Sequence, residues 1–154
     1  GLGDVYKRQY MKLVVFNVGS ALCVYAEHQT TRIVFDIGKG NNFSPVNDFL
    51  LPLYEKRGEH RLKNRNNRYG ISQLIVSHPH KDHISDIQEF DKNFYAHLLT
   101  TPNSKSPNGN PQNINWRKIT TPDDPDVKYL KRMKIGRNLP LRSFDSEHLK
   151  IGYL

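Results

Sequence analysis

The chain has 154 residues and a mean hydropathy of −0.70, and 36% of its residues are hydrophobic, which suffices for one domain with a buried core. Its 23 Lys and Arg residues against 15 Asp and Glu residues give a formal net charge of +8. This charge favours anionic partners such as DNA or RNA, although a need for solubility explains it equally well. The single cysteine excludes an internal disulfide, and no run approaches the ~18 apolar residues of a membrane span, so we expect a cytoplasmic protein.

The N-terminal third of the sequence predicts three strands. Residues 1–10 precede Met11 without periodic pattern or hydrophobic weight, and we interpret them as a non-native leader. Three short segments rich in β-branched and aromatic residues follow, each ended by Gly or polar residues. These predicted strands are residues 12–19, 21–27 and 31–38.

A helix is predicted next, over residues 44–58. Ser44 is a candidate N-cap, Pro45 suits the first helical position, and Gly58 is a natural stop. Pro52 lies inside this helix and predicts a kink or an early break. Residues 59–68 are basic and rich in Asn, and they predict a solvated loop.

The second half of the chain alternates apolar and polar stretches. Residues 71–77 predict a buried strand, and residues 85–94 predict a helix. Residues 99–126 contain five prolines and many Asn, which predicts a polar loop. Asp124 then caps a short helix to about residue 133. Residues 149–154 are strand-like.

The residues with metal-binding chemistry lie directly after the predicted strand 71–77. Within six positions the sequence has three imidazoles and a carboxylate, from His78, His80, Asp82 and His83. Imidazole nitrogen and carboxylate oxygen are ligands that zinc, iron and manganese accept. Surface histidines in a polar turn are the alternative, but a hydrophobic strand before and a helical pattern after favour a metal site.

At these residues the sequence resembles the metallo-β-lactamase superfamily, and the resemblance covers most of residues 11–94. It is most similar to the soluble hydrolase domain of ComEC-type DNA-uptake proteins and their free-standing relatives. The matching stretches are Phe16-Asn-Val-Gly19, Phe35-Asp-Ile-Gly38 and Val76-Ser-His-Pro-His-Lys-Asp-His-Ile84. The resemblance implies an α/β fold, with residues 11–154 forming the N-terminal portion of a four-layer αββα sandwich.

The resemblance also implies a dinuclear site, most often occupied by zinc, with manganese or iron as alternatives. His78 and His80 would bind the first metal, and Asp82 and His83 the second. Asp36 would orient the metal loop. The alternative interpretation is that Asp36 is an ordinary residue of an Asp-x-Gly turn. Three positions depart from the family pattern: Asn17, the residues 20–22, and the pair Ser85-Asp86.

The family completes its site with further His and Asp ligands downstream. Only His97 and His148 follow residue 83, and no Gly-Asp turn does. We interpret His97 as a packed helix or strand residue, and we expect His148 not to be a ligand. The chain therefore resembles a C-terminally truncated fragment, which we expect to bind metal poorly, to be inactive, and to leave apolar faces around residues 13–18 and 33–37 incompletely covered.

The function implied is hydrolysis of a phosphodiester or nucleic acid by a metal-bound hydroxide, with catalytic Asp82 anchoring the second metal and orienting the nucleophile. Hydrolysis of another ester, thioester or lactam remains an alternative, as does a non-catalytic nucleic-acid-binding module. A run of cations predicts contacts with a phosphate backbone, unless it is simply solvated. These cations are Lys56, Arg57, Arg61, Lys63, Arg65 and Arg68. Cys23 is expected to be a buried apolar residue.

Overall fold

The structure is a computed structural model that describes residues 10–77, 79–102, 124–133 and 138–141. Predictions for residues 1–9, for His78 and His148, for residues 103–123 of the polar loop and for the strand 149–154 fall outside these ranges. Within them the fold is mixed α/β, as the sequence predicts.

One mixed sheet forms the scaffold, with strands in the order β1-β2-β3-β5-β6-β7. The first three strands are antiparallel neighbours, and β3, β5, β6 and β7 run parallel. The short strand β4 pairs antiparallel with the start of β5. The bounds are β1 Met11–Val15, β2 Cys23–His28, β3 Thr31–Ile37, β4 Arg61–Leu62, β5 Arg68–Ile75, β6 Phe94–Pro102 and β7 Asn138–Leu141.

The predicted first helix is present in two parts, a π-helical turn over Pro45–Leu50 and an α-helix, α1, over Leu51–Lys56. The Ser44 hydroxyl caps it by accepting a hydrogen bond from the Asn47 N–H at 3.0 Å. Gly58 adopts a left-handed φ of +65° after its end. The π-helical turn ends just before Pro52, which has no backbone N–H and therefore cannot donate one of the α-helical hydrogen bonds.

The remaining helices lie on the same face of the sheet. They are α2 Lys81–Ile84, α3 Ile87–Asn93 and α4 Pro125–Arg132. Helix α3 contacts both α4 and the π-helical turn, so the helices form one layer. The Asp124 carboxylate caps α4 as predicted, accepting from the Asp126 N–H at 2.8 Å.

The core lies between this helical layer and the sheet. Its largest fully buried side chains include four aromatic rings, and Tyr54 stands edge-on to Phe94 with centroids 5.1 Å apart. Cys23 is buried, as predicted, and its burial raises the pKa of the thiol. The burial of these rings is the main hydrophobic contribution to the stability of this layer.

The opposite face of the edge strand β1 is apolar and exposed. Leu13 is 60% exposed and Val15 is 66% exposed, whereas Val14 between them packs against the core. The expectation of incomplete coverage is therefore met at these two residues. It is wrong for Ile33 and Ile37, which are 5% and 0% exposed, and for Phe16 and Val18, which are 8% and 5% exposed. Phe16, Val18 and Ile37 are buried because they pack in the hydrophobic core.

Two loop predictions are wrong in part. The basic segment 59–68 is not a plain loop, because Arg61–Leu62 pairs with β5 and Lys63–Arg65 forms a 3₁₀ turn. The prediction of a polar loop is wrong for residues 99–102, because β6 continues to Pro102 beside β5 and β7. In both places strand pairing overrides polar composition. No helix in the described ranges is long and apolar enough to cross a membrane.

Candidate metal centre

The predicted metal loop lies between the end of β5 and helix α2. Because β3 and β5 are parallel neighbours, with Phe35 paired to Ile75, the ends of both strands meet at the same edge of the sheet. Asp36 therefore lies beside Ser77, the residue that leads into the motif. Loops at the carboxyl ends of parallel strands are where α/β folds usually place their chemistry.

A β-bulge directs Asp36 toward this loop. Strand β2 pairs Val24 with Phe35 but Cys23 with Ile37, so Asp36 is the extra residue between them. Its φ is +55°, a left-handed conformation that Asp tolerates better than most residues. Bulges often redirect a side chain next to a functional site.

The Asp36 carboxylate, which is 2% exposed, accepts three hydrogen bonds from the loop. The Ser77 N–H and hydroxyl donate at 2.7 and 2.6 Å, and His83 Nδ1 lies 2.7 Å from Asp36 Oδ2. Because a carboxylate can only accept, Nδ1 of His83 is the donor. In the neutral ring with its proton on Nδ1, Nε2 carries the lone pair that a metal would require, and this nitrogen faces Asp82.

Asp82 approaches the same imidazole from the opposite side. Its Oδ2 lies 3.5 Å from His83 Nε2, and its side chain is 47% exposed, whereas that of His83 is 14% exposed. Two ligands of one tetrahedral zinc, each bonded at 2.0–2.1 Å, are about 3.3 Å apart. The spacing of this oxygen and nitrogen therefore fits a shared ion.

The backbone of the loop is held by Leu22, just before β2, and by the turn after β3. The Asp82 carbonyl accepts a hydrogen bond from the Leu22 N–H at 3.1 Å, and the Leu22 carbonyl accepts one from the Gly38 N–H at 2.8 Å. A Cβ on Gly38 would lie 2.0 Å from the Asp82 carbonyl oxygen, far inside contact distance. Only glycine lets this turn approach the metal loop so closely.

The pair Ser85-Asp86, which departs from the family pattern, fixes the other side of the loop. The Ser85 hydroxyl accepts from the Lys39 N–H at 2.8 Å. Asp86, 1% exposed, accepts from the Ser44 hydroxyl at 2.6 Å and the Val46 N–H at 3.1 Å. Burial raises the pKa of Asp86, while these hydrogen bonds oppose that rise. Sequence reasoning missed both roles.

A cleft of about 440 Å³ opens at the exposed side of the metal loop. His80 and Asp82 both line it, and the His80 carbonyl accepts from the His83 N–H at 2.9 Å. Sequence reasoning also missed two cations in its wall, Lys39 and Lys81. In the sequence, Lys39 is marked only by its position directly after Gly38, and Lys81 only by its position directly before Asp82.

The structure thus brings together Asp36, Asp82 and His83, and places His80 on the same cleft. His78 lies outside the described residues. Among the residues that the structure describes, no group of three or more His, Cys, Asp or Glu side chains could hold a metal ion. His97 is in strand β6, as predicted, but it is exposed, because Ala96 takes the core-facing position; its ring stands edge-on to Tyr95 with centroids 5.3 Å apart.

The predicted nucleic-acid contacts lie at the other end of the sheet. Arg61 pairs with Tyr69 at the start of β5, whereas the metal loop follows its end, and an eight-residue strand spans about 23 Å. Several of these cations contact their own chain. Arg57 and Arg68 form ion pairs with acidic residues, Arg61 and Arg65 lie over tyrosine rings, and Lys56 and Lys63 are exposed.

No protein-family model, curated protein or solved structure matches this chain. A functional assignment therefore depends on the motif and on the geometry of this loop.

Proposed function

We propose that this chain belongs to a metal-dependent hydrolase of the metallo-β-lactamase type that cleaves phosphodiesters in nucleic acid. The observation that carries the proposal is the position of His83, held through Nδ1 by Asp36 and facing Asp82 through Nε2. A histidine that binds a metal usually donates its other N–H to a carboxylate or carbonyl, which fixes its tautomer.

The donor set fits a divalent ion such as zinc, with manganese or iron as alternatives. His83 and Asp82 would supply one pair of ligands, and the resemblance implies that His80 and His78 would supply the other. A bound ion of this kind supplies Lewis-acid polarisation of the phosphoryl oxygen and activation of water. The protein's part is orientation: Asp36 and Ser77 hold the loop, and Asp82 presents its carboxylate to the cleft.

The one-sided arrangement of helices supports the αββα sandwich. The four α-helices of the described ranges lie on one face of the sheet, while Leu13 and Val15 leave an apolar strip on the other. A second sheet that packs on this face would bury the strip, as in other sheet-on-sheet folds.

The charge of the cleft favours a phosphodiester over a neutral ester, thioester or lactam. Lys39 and Lys81 line the cleft, and neither takes part in an ion pair within the described part of the chain. Two such cations attract an anionic substrate and stabilise charge that develops at phosphorus.

The decisive experiment compares hydrolysis of bis(p-nitrophenyl) phosphate, p-nitrophenyl acetate and a chromogenic lactam with added Mn²⁺ or Zn²⁺. It uses the 154-residue chain, a version extended in its natural reading frame at the C-terminus, and the His83→Gln variant of each. We expect the extended version to cleave the phosphodiester selectively and His83→Gln to abolish this. Absence of turnover in the extended version with either metal would refute the proposal, and preference for the acetate or lactam would favour the alternative hydrolase.

A further inference from the structure

The cleft at the metal loop continues into a second compartment. This compartment, of about 320 Å³, shares Ser20, Lys39, Gly40 and Asn41 with the first. It is lined additionally by Asn17, Val18, Gly19, Asn42 and Phe43. We call it the asparagine compartment.

Lys39 stands where the two compartments join. It follows Gly38, which touches the Asp82 backbone, so its Cα lies one chain step, about 3.8 Å, beyond that contact. Its side chain is exposed. Lys39 interacts electrostatically with Asp86 and Asp126 and lines the cleft together with Asp82, but it forms no ion pair with an acid in the described ranges. A lysine ammonium in this position is available to an external anion.

The walls of the asparagine compartment offer the chemistry of a base-binding site. Asn17, Asn41 and Asn42 are exposed, and their side-chain amides make no hydrogen bond within the part of the chain that the structure describes. Amides supply both a donor and an acceptor to base edges. Phe43 presents a half-buried ring that packs 6.0 Å from Phe16, and such rings stack on bases without sequence preference.

We propose that the asparagine compartment binds the nucleotide next to the scissile phosphodiester, with Lys39 on its phosphate and Phe43 against its base. The inference rests on the proposed function, because it places this nucleotide beside the metal loop. It makes the substrate an oligonucleotide, since a small monoester or lactam would leave this compartment empty. The oligonucleotide is single-stranded, because only a base that has left its duplex stack can lie against Phe43.

The test is binding of fluorescein-labelled oligothymidylate and oligouridylate to the 154-residue chain, followed by anisotropy in EDTA over a series of salt concentrations. Three variants are compared with the wild type: Lys39→Gln, Phe43→Leu, and Lys92→Gln as a control that removes the same charge from α3, outside the cleft. Urea unfolding midpoints equal to that of the wild type show that each variant is folded.

We expect Lys39→Gln to weaken binding about tenfold and to reduce the slope of log affinity against log salt by about 0.7, the value for one phosphate contact on a single strand. Phe43→Leu should weaken binding about fivefold with the slope unchanged, because stacking is uncharged. The two oligonucleotides distinguish DNA from RNA as the preferred ligand.

Equal effects of Lys39→Gln and Lys92→Gln would overturn the inference, as would the absence of binding by the wild type. Because EDTA removes metal, this result is independent of catalysis. Lys39-dependent binding, together with no hydrolysis by the C-terminally extended version, would leave this binding site standing and refute the proposed function. Hydrolysis by the extended version, together with binding that does not depend on Lys39, would overturn the inference and leave the proposed function standing.

Discussion

Replacing Asp36 by Asn tests whether this buried carboxylate orients the metal loop. Asn has nearly the same shape and tolerates the φ of +55° equally well, so the backbone is not perturbed. It keeps one acceptor oxygen but substitutes an NH₂ group for the other. That group faces donors, because Oδ2 accepts from both the Ser77 hydroxyl and His83 Nδ1.

The expected cost follows from these hydrogen bonds. A bond to a charged acceptor contributes about 1.5–3 kcal/mol, and a buried donor left unpaired costs about 1–3 kcal/mol. The neutral Asn side chain avoids the desolvation cost of a buried carboxylate, and this offsets part of the loss. We therefore expect the free energy of unfolding to fall by about 2–4 kcal/mol. Zinc affinity should fall about 10–100-fold, as is typical when the hydrogen-bond partner of a metal-binding histidine is removed.

The assays are urea unfolding in EDTA and calorimetric titration with Zn²⁺. Asp48→Asn is the matched control, because it removes the same charge from an exposed helical turn and should cost under about 1 kcal/mol without changing zinc affinity. Zinc affinity of Asp36→Asn within about threefold of the wild type would refute the reasoning, because loss of the orienting bond has a larger effect than that.

Three further predictions use the same unfolding assay. Gly38→Ala should destabilise the fold by about 1–3 kcal/mol and weaken zinc binding, because its Cβ would overlap the metal loop. In the control Gly40→Ala the new Cβ meets no atom closer than 3.4 Å and should be tolerated, so equal losses of stability in the two variants would contradict this prediction. Burial raises the pKa of Asp86 above its usual 3.8, so the folded state binds this proton more tightly than the unfolded state does. The free energy of unfolding should therefore fall as the pH rises from about 4 through the raised pKa. The Asp86→Asn variant should lack this fall, and parallel pH profiles for variant and wild type would show the reasoning to be wrong. Leu13→Lys and Val15→Lys should reduce aggregation while lowering the free energy of unfolding by under about 1 kcal/mol, since both side chains are exposed. A larger loss of stability would mean that this face is already covered.

Local signals in the sequence predicted much of the fold. Ser44, Pro45 and Gly58 mark the first helix, and Asp124 marks α4, because capping depends only on neighbouring residues. The strands up to β3 and the start of the metal loop were predictable in the same way. Strand β4 was not, because its two residues, Arg61 and Leu62, are too few to give an alternating pattern, and the strand exists only through pairing with β5.

The geometry of the site depended on contacts that no local pattern reveals. Asp36 and His83 lie 47 positions apart, and they meet only because β3 and β5 are parallel and β2 is bulged. Lys39 gave no signal of its own, because its proximity to the loop comes from the approach of Gly38 to Asp82. The cations of residues 56–68 were conspicuous in the sequence, yet they lie at the far end of the sheet.

The most direct test of the central claim is the state of the His83 ring during zinc titration, read from its side-chain nitrogen resonances by NMR. We predict a ring that carries a proton on Nδ1, as the hydrogen bond to Asp36 requires. We also predict that zinc shifts the Nε2 resonance of His83 while the Nδ1 proton remains. A ring protonated at Nε2 alone, or an Nε2 resonance that saturating zinc leaves unchanged, would contradict the assignment of His83 as a metal ligand.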